Sequence, residues 1–454
     1  MKIIIVGAGE VGYNIAGKLS SENKEVVVID KDPVATKRLA DDLDVQVMTA
    51  SGSCPNTLIE AGIKEAEILL AVTNSDEANL ISCLMANMIS PTTKKLARIR
   101  SADFDGYREN LKNDAPYIDT IINPEIVVVN TIRRLMSVPG AIDMGSFADG
   151  KVSFVGLRID EQSPMANINL IDFSSIFGSK RPLISAIIRG DKTIVPKGDD
   201  KVLPKDIVYF IAETEKLDQT LGLFGKKSTP LKSVLIVGGG RIGLRLALLL
   251  EKESINTKII DSDLERCEDL AKKTDKTVIL HGDASEKNLF LEENVSDIDV
   301  VVSATNNDET NILVSLLAKE MGAKSTITKI SKTNYFPLMK TIGLDKLVSP
   351  RLSAARSILR DIRKGKVLSA VSVIGEGAEF IEAVALKTSG ITKKPLRKIS
   401  FPKGAILVCI IRDDKIIIPS GESIVEPDDR MIIFSKKEDI QKLEKLLTVK
   451  LEFF

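Results

Sequence analysis

Short runs of wholly apolar residues alternate along the first 123 residues with longer stretches whose apolar positions recur at helical spacing. This pattern predicts strands at Ile3–Val6, Val26–Ile29, Val45–Thr49, Ile68–Val72, Lys95–Ile99 and Ile118–Ile122, and helices at Pro33–Leu43, Asn56–Ala61 and Glu77–Ile89. A further helix follows the first strand. Strands that are apolar on both faces are those of a parallel sheet covered by helices on each side. Six of them in this alternation predict a Rossmann-type sheet, with its ligand crevice at the carboxyl ends of the strands.

The stretch Glu125–Met136, EIVVVNTIRRLM, is apolar around most of its circumference, whereas a surface helix carries a single apolar stripe. Either its own domain buries it, or it crosses to a neighbouring module. Residues 151–212 then change character, to short β-branched runs bounded by Gly, Pro and Asp. Within them IIRGDKTIVPKGD reads as a hairpin in a small, mostly β module.

The whole order then repeats, so the chain is a tandem duplication. Gly238, Gly240, Gly243 and Asp261 each lie 231 positions after Gly7, Gly9, Gly12 and Asp30. Ala71–Asn79 (AVTNSDEAN) recurs as Ser303–Asn311 (SATNNDETN), and Ile122–Pro124 as Val348–Pro350. RLSAARSILRDI (Arg351–Ile362) is the more polar counterpart of the apolar helix, and IIRDDKIIIPSGE is the counterpart of the hairpin. The expected division is a first Rossmann domain at 1–123, a crossing helix at 124–140, a β-rich domain at 141–221 and a linker at 222–231. A second Rossmann domain at 232–349, crossing helix at 350–366 and β-rich domain at 367–454 complete it. The fold class is α/β: two tandem Rossmann-type parallel-sheet domains, each followed by a small β-rich α+β domain.

The glycines carry the candidate chemistry. Gly7, Gly9 and Gly12 form GxGxxG directly after a strand and at the mouth of a helix. The spacing permits a tight turn, a close backbone approach to a pyrophosphate and close packing of helix on sheet. Amides of the first helical turn face the phosphates, and Asp30, at the end of the second strand, is placed to accept from ribose hydroxyls. The candidate binding residues are Gly7, Ala8, Gly9, Glu10, Val11, Gly12, Asp30, Thr73, Asn74 and Arg98 in the first copy. In the second they are Gly238, Gly239, Gly240, Arg241, Ile242, Gly243, Asp261, Asp283, Thr305 and Lys329. The turns differ at one position. Arg241 offers phosphate donors where Glu10 offers like charge, so the second site is expected to favour ATP over ADP and the first to suit NAD(H).

Composition narrows the classes. Sixty-three basic and sixty-three acidic residues cancel, which gives no support to nucleic acid as the main partner. Four scattered cysteines, Cys54, Cys83, Cys267 and Cys409, lack metal-ligand spacing and read as core thiols. No apolar run approaches a membrane span, and the first residues enter a strand without a signal peptide.

Taken together, the duplicated GxGxxG modules with terminal Asp, the crossing helices and the β-rich modules resemble the TrkA family. These are regulatory subunits of bacterial Trk potassium-uptake systems, built of two RCK (KTN) domains each followed by a TrkA-C domain. The resemblance covers nearly the whole chain. It implies a cytoplasmic protein, peripheral at the inner face of the membrane through a TrkH-type channel subunit, that gates potassium flow according to bound NAD(H) or ATP/ADP. It also implies a homotetramer or other even oligomer, and no enzymatic activity. The alternative is an NAD-dependent oxidoreductase. The chain's one histidine, His281, has no matched partner for proton transfer, since Ser51 stands at its place in the first copy.

Overall fold

The computed structural model describes the chain apart from residues 22–23, 179–181, 228–229, 345, 363–366, 374–376 and 448–454. The expected linker and second crossing helix therefore lie partly outside the described residues, as does the end of the second β-rich segment. In chain order the first sheet and its helices are β1 (Lys2–Val6), α1 (Glu10–Ser21), β2 (Glu25–Asp30), α2 (Pro33–Asp42), β3 (Gln46–Thr49), α3 (Pro55–Glu60), β4 (Ile68–Ala71), α4 (Asp76–Ile89), β5 (Lys94–Arg98), α5 (Arg108–Asn113), β6 (Thr120–Ile122) and α6 (Pro124–Ser137). An antiparallel module follows, with β7 (Ala141–Phe147), β8 (Val152–Arg158), α7 (Phe173–Phe177), β9 (Leu183–Arg189), β10 (Lys192–Ile194), β11 (Ile207–Glu213) and α8 (Leu217–Leu223).

The second half repeats the plan with β12 (Ser233–Val237), α9 (Arg241–Lys252), β13 (Asn256–Asp261), α10 (Leu264–Lys273), β14 (Val278–His281), α11 (Lys287–Glu292), β15 (Val300–Ser303), α12 (Asp308–Glu320), β16 (Thr326–Lys329), α13 (Phe336–Thr341), β17 (Leu347–Val348) and α14 (Pro350–Ile362). Its antiparallel module is β18 (Val367–Ser372), β19 (Ala378–Val384), β20 (Ala405–Arg412), β21 (Lys415–Ile417), β22 (Arg430–Lys436) and α15 (Ile440–Leu447).

The two parallel sheets have matching orders, β3-β2-β1-β4-β5-β6 and β14-β13-β12-β15-β16-β17. Strand order reverses between β1 and β4, and between β12 and β15, which opens the crevice at their carboxyl ends. Central strands are buried on both faces, as their continuous apolar runs require: Ile3, Ile4 and Ile5 of β1 are inaccessible to solvent. The antiparallel sheets run β10-β9-β11-β8-β7 and β18-β19-β22-β20-β21. Both expected hairpins form. In the second, Asp413 and Asp414 both take positive φ, 48° and 63°, as a two-residue type I′ turn requires.

The chain divides into two compact units, one formed by residues 1–127 with α14, the other by residues 128–349 with the last antiparallel module. In the first unit Ala354, Ala355 and Ile358 of α14 share an apolar cluster with Val11, Ile15 and Leu19 of α1. In the second, Val128, Val129, Ile132, Leu135 and Met136 of α6 share a cluster with Ile242, Leu246 and Leu250 of α9. Arg133 pairs with Glu253, which caps the carboxyl end of α9. Each crossing helix thus covers a Rossmann helix of the opposite half of the sequence. The apolar circumference of α6 is met inside one chain, and it therefore gives no argument for an oligomer.

In the second unit the two antiparallel sheets also meet. Phe154 stacks on Phe380 with ring centroids 5.1 Å apart, and Arg430 bridges Glu382 and Asp149 at 2.7 and 2.9 Å. A bidentate pair is duplicated, Arg189 on Asp206 and Arg412 on Asp429. Cys83, Cys267 and Cys409 are buried whereas Cys54 is exposed, so the core-thiol expectation fails for Cys54.

One part-buried cation carries a stability consequence. Lys346 lies before β17, its ammonium 3.4 Å from the Leu135 carbonyl near the carboxyl end of α6, and burial pushes its pKa down to about 8. A lysine depressed in the folded state binds fewer protons there than in the unfolded chain, so stability rises with pH between about 8 and about 10.4. Below that window the charged form opposes folding. Lys346→Met is therefore expected to raise the melting temperature at pH 7, by up to about 3 kcal/mol in stability, with the gain shrinking by pH 10. Paired thermal melts at the two pH values check this, and a gain independent of pH would contradict it.

Candidate functional site

The crevice of each parallel sheet is built from three pieces of chain. The first is the glycine turn. Gly7 adopts φ +114° and Gly238 φ +104°, and a Cβ on either would lie within 3 Å of the Thr73 or Thr305 amide. A Cβ at Gly12 would stand 1.8 Å from the Gly7 carbonyl oxygen, and one at Gly243 2.0 Å from that of Gly238. These four glycines are accounted for by packing. Gly9 and Gly240 are not, since a Cβ on either meets nothing within 4 Å. At these two positions the turn opens outward, which is the space a pyrophosphate needs.

The second piece is the acid at the end of β2 and of β13. Asp30 Oδ2 accepts from the Ala8 amide at 2.6 Å and Oδ1 from the Asp32 amide at 2.9 Å. Asp261 makes the same pair of bonds, from the Gly239 amide at 2.6 Å and the Asp263 amide at 3.0 Å. A carboxylate offers about four acceptor positions, so each acid splints the turn and retains capacity for ribose hydroxyls. Sequence reasoning placed these residues but missed the splint.

The third piece is the loop after β4 and β15. Asn79, buried in α4, accepts from the Thr73 amide at 2.9 Å and donates to the Arg98 carbonyl at 2.8 Å. Asn311 does the same for Thr305 and Lys329, at 2.9 and 3.0 Å. One side chain thereby fixes the loop to the end of the next strand. Asp76 Oδ2 accepts from the Arg100 and Ser101 amides, and Asp308 from those of Ser331 and Lys332. None of these four was singled out from sequence. Their signal was present, as Asp and Asn three residues apart recur at the start of both helices.

The structure brings Ala8, Asp30, Thr73, Asn74 and Arg98 to the carboxyl ends of the first sheet's strands. Arg98 donates to the Asn74 side chain at 3.4 Å and Arg100 to the Asn74 carbonyl, so Arg100 is a further residue that sequence reasoning missed. In the second copy Lys329 donates to the Thr305 carbonyl at 2.6 Å. The side chains of Val11 and Ile242 are buried with their helices' apolar rows. Asp283 turns back on its own loop, accepting from the Ser285 amide at 2.8 Å, and this bond holds its pKa below the usual range. His281 is exposed, with Nε2 3.2 Å from the Ser262 carbonyl at the end of β13.

Glu10 corrects an expectation. Its two oxygens lie 3.3 Å from Arg38 and 3.1 Å from Arg351, so the first turn does not present bare negative charge.

Comparison with known proteins reproduces the duplicated order. A TrkA-N domain model matches residues 3–124 and 234–350, and a TrkA-C domain model matches 154–225 and 380–448. The chain is 35% identical to the Trk system potassium uptake protein TrkA of Azorhizobium caulinodans over the full length of both. It is 36% identical to TrkA homolog 1 of Methanosarcina mazei over 98% of this chain and 99% of that one. Among solved structures, the GsuK channel superposes with a TM-score of 0.63 at 16% identity, over 98% of this chain and 79% of that chain. GsuK bound to NAD gives 0.62 at 17% identity over the same shares.

Proposed function

The chain belongs to the TrkA family, and from that premise we propose that it is a nucleotide-sensing regulatory subunit of a potassium-uptake system, binding nucleotide in two Rossmann crevices per chain. The observation that carries this reading is the pair of open glycines. Gly9 and Gly240 have no packing reason to be glycine, since a Cβ on either meets nothing within 4 Å, and each stands at the mouth of a helix. Amides of the turn would take the pyrophosphate, and Asp30 and Asp261 the ribose hydroxyls. Asn74, Arg98 and Arg100 would border the first ligand, and Lys329 the second.

A bound nucleotide shifts a regulator only through unequal affinity for two shapes. Helices α6 and α14 are the elements best placed to move, since each is tied to one half in sequence and packs on the other half's Rossmann helix. The partner we assign is a membrane channel subunit of TrkH type, which would hold the chain at the inner face of the membrane. Among the described residues no helix is long and apolar enough to cross a membrane. The seven-segment domain division stays our proposal. So does a homotetramer or other even oligomer, supported by apolar side chains exposed on the outer faces of matching helices: Ile81 and Met88 on α4, and Leu313 on α12.

The carboxylates of Asp30 and Asp261 should repel the 2′-phosphate of NADP. NADP is expected to bind at least about tenfold more weakly than NAD, and nucleotide released by heat denaturation should be NAD(H) or an adenine nucleotide. Equal affinity for NAD and NADP would sink the ribose assignment. Steady turnover of NADH by the purified chain would point to an oxidoreductase instead.

A further inference from the structure

The Glu10 cluster in the first unit joins residues that lie more than 300 positions apart in sequence. Glu10 is the first residue of α1, in the glycine turn itself. Arg38 on α2 reaches one of its oxygens, and Arg351, the second residue of α14, reaches the other. The nearest approach of each guanidinium to Glu10 is through an Nη nitrogen, and a guanidinium carries five N–H donors. Arg38 is further occupied, with Nε 3.9 Å from Asp42 and its guanidinium 4.4 Å over the Tyr13 ring. All three side chains are substantially exposed, at 41% for Glu10, 54% for Arg38 and 32% for Arg351. Ion pairs of this exposure are weak. A phosphate oxygen is a stronger partner for a guanidinium than an exposed carboxylate is.

The duplication reverses both charges. Arg241 stands at Glu10's place in the second turn, and Glu125 at Arg351's place in the first crossing helix. The sign of the charge at each of these two positions is therefore swapped between the copies, so that turn and opposite-copy crossing helix differ in sign in sequence both times. Packing alone would not require this complementarity.

We propose that Arg351 is the charge-reading residue of the first nucleotide site, supplied by the helix that follows the second Rossmann sheet and held at the turn by Glu10. The inference rests on the nucleotide reading above. When phosphate arrives at the amino end of α1, Arg351 exchanges Glu10 for a phosphate oxygen or stays to neutralise the carboxylate. In both cases ligand charge at the first turn is felt by α14, and a ligand without phosphate leaves the pair undisturbed.

The test uses the full chain with the second crevice blocked by Gly240→Val, titrated with ADP and with adenosine. Arg351→Gln is expected to weaken ADP about tenfold while adenosine stays within about twofold. Arg351→Lys should keep most of the ADP affinity, and Glu10→Gln should strengthen ADP but not adenosine. Equal weakening of ADP and adenosine would make Arg351 a merely structural residue, and an unchanged ADP affinity would leave it without a role; either overturns the inference and spares the nucleotide reading. If the Gly240→Val chain with Glu10 and Arg351 intact binds neither ADP nor NAD, the nucleotide reading fails and the inference with it.

Discussion

Gly9→Val is expected to fold with a stability within about 0.5 kcal/mol of the parent and to lose nucleotide at the first site by a hundredfold or more, about 3 kcal/mol. The two halves of that statement have separate causes. A Cβ at Gly9 meets no protein atom within 4 Å, so nothing in the folded chain resists it. The same side chain would stand where the turn must approach a pyrophosphate closely. Gly12→Val should behave in the opposite way. Its Cβ would lie 1.8 Å from the Gly7 carbonyl oxygen, so α1 must lift from the turn, at a cost on the order of 3 kcal/mol or more. Thermal melts and NAD titrations of the two variants, each with Gly240→Val in the background, separate the roles. A Gly9→Val chain that still takes up NAD normally at its first site would mean that the open turn serves no ligand.

The second large effect concerns α6. Ile132 is inaccessible to solvent within the cluster that α6 shares with α9. Ile132→Glu removes apolar burial worth about 1.5–3 kcal/mol and adds a carboxylate that must be charged in an apolar setting or take up a proton. A loss of roughly 4 kcal/mol or more in the stability of the second unit is expected. Asn130→Glu, exposed on the same helix, is the control and should cost little. If the two variants melted alike, α6 would not be buried where the structure places it. The effect is one of folding, so sedimentation of the folded fraction should not change.

These two variants also mark the reach of the sequence. Strand, turn and helix around Gly7–Gly12 were legible because the pattern is local: apolar runs set the strands, and the spacing of three glycines sets the turn. Element ends moved by one or two residues, β3 beginning at Gln46 and β6 at Thr120. The covering of Glu125–Met136 was legible only as a need. Hydrophobicity says that such a helix must be buried, and it does not say by which surface, so its own domain and a neighbouring module both stayed open. The double duty of Asp30 was hidden for a different reason, since the bond to the Ala8 amide exists only once the turn folds back over the end of β2. Arg351 at Glu10 was out of reach altogether, because no periodicity relates residues from opposite ends of the duplication.

The exchange of α6 and α14 has a consequence in time as well as in space. During synthesis the apolar row of α1 ends at Leu19, and the helix that covers it begins at Pro350, which is 331 residues later. At about 5–20 residues per second, the side of α1 that α14 covers waits roughly 17–66 s while the intervening chain emerges; its other side packs at once on Ile3, Ile5 and Val26 of its own sheet. The matching row of α9 has no such wait, since α6 has left the ribosome before Ile242 is made. Of the two Rossmann sheets the first is thus made earlier and finished later, and a nascent chain halted before α14 would leave the α14-facing side of α1 uncovered, an apolar strip that chaperones can hold.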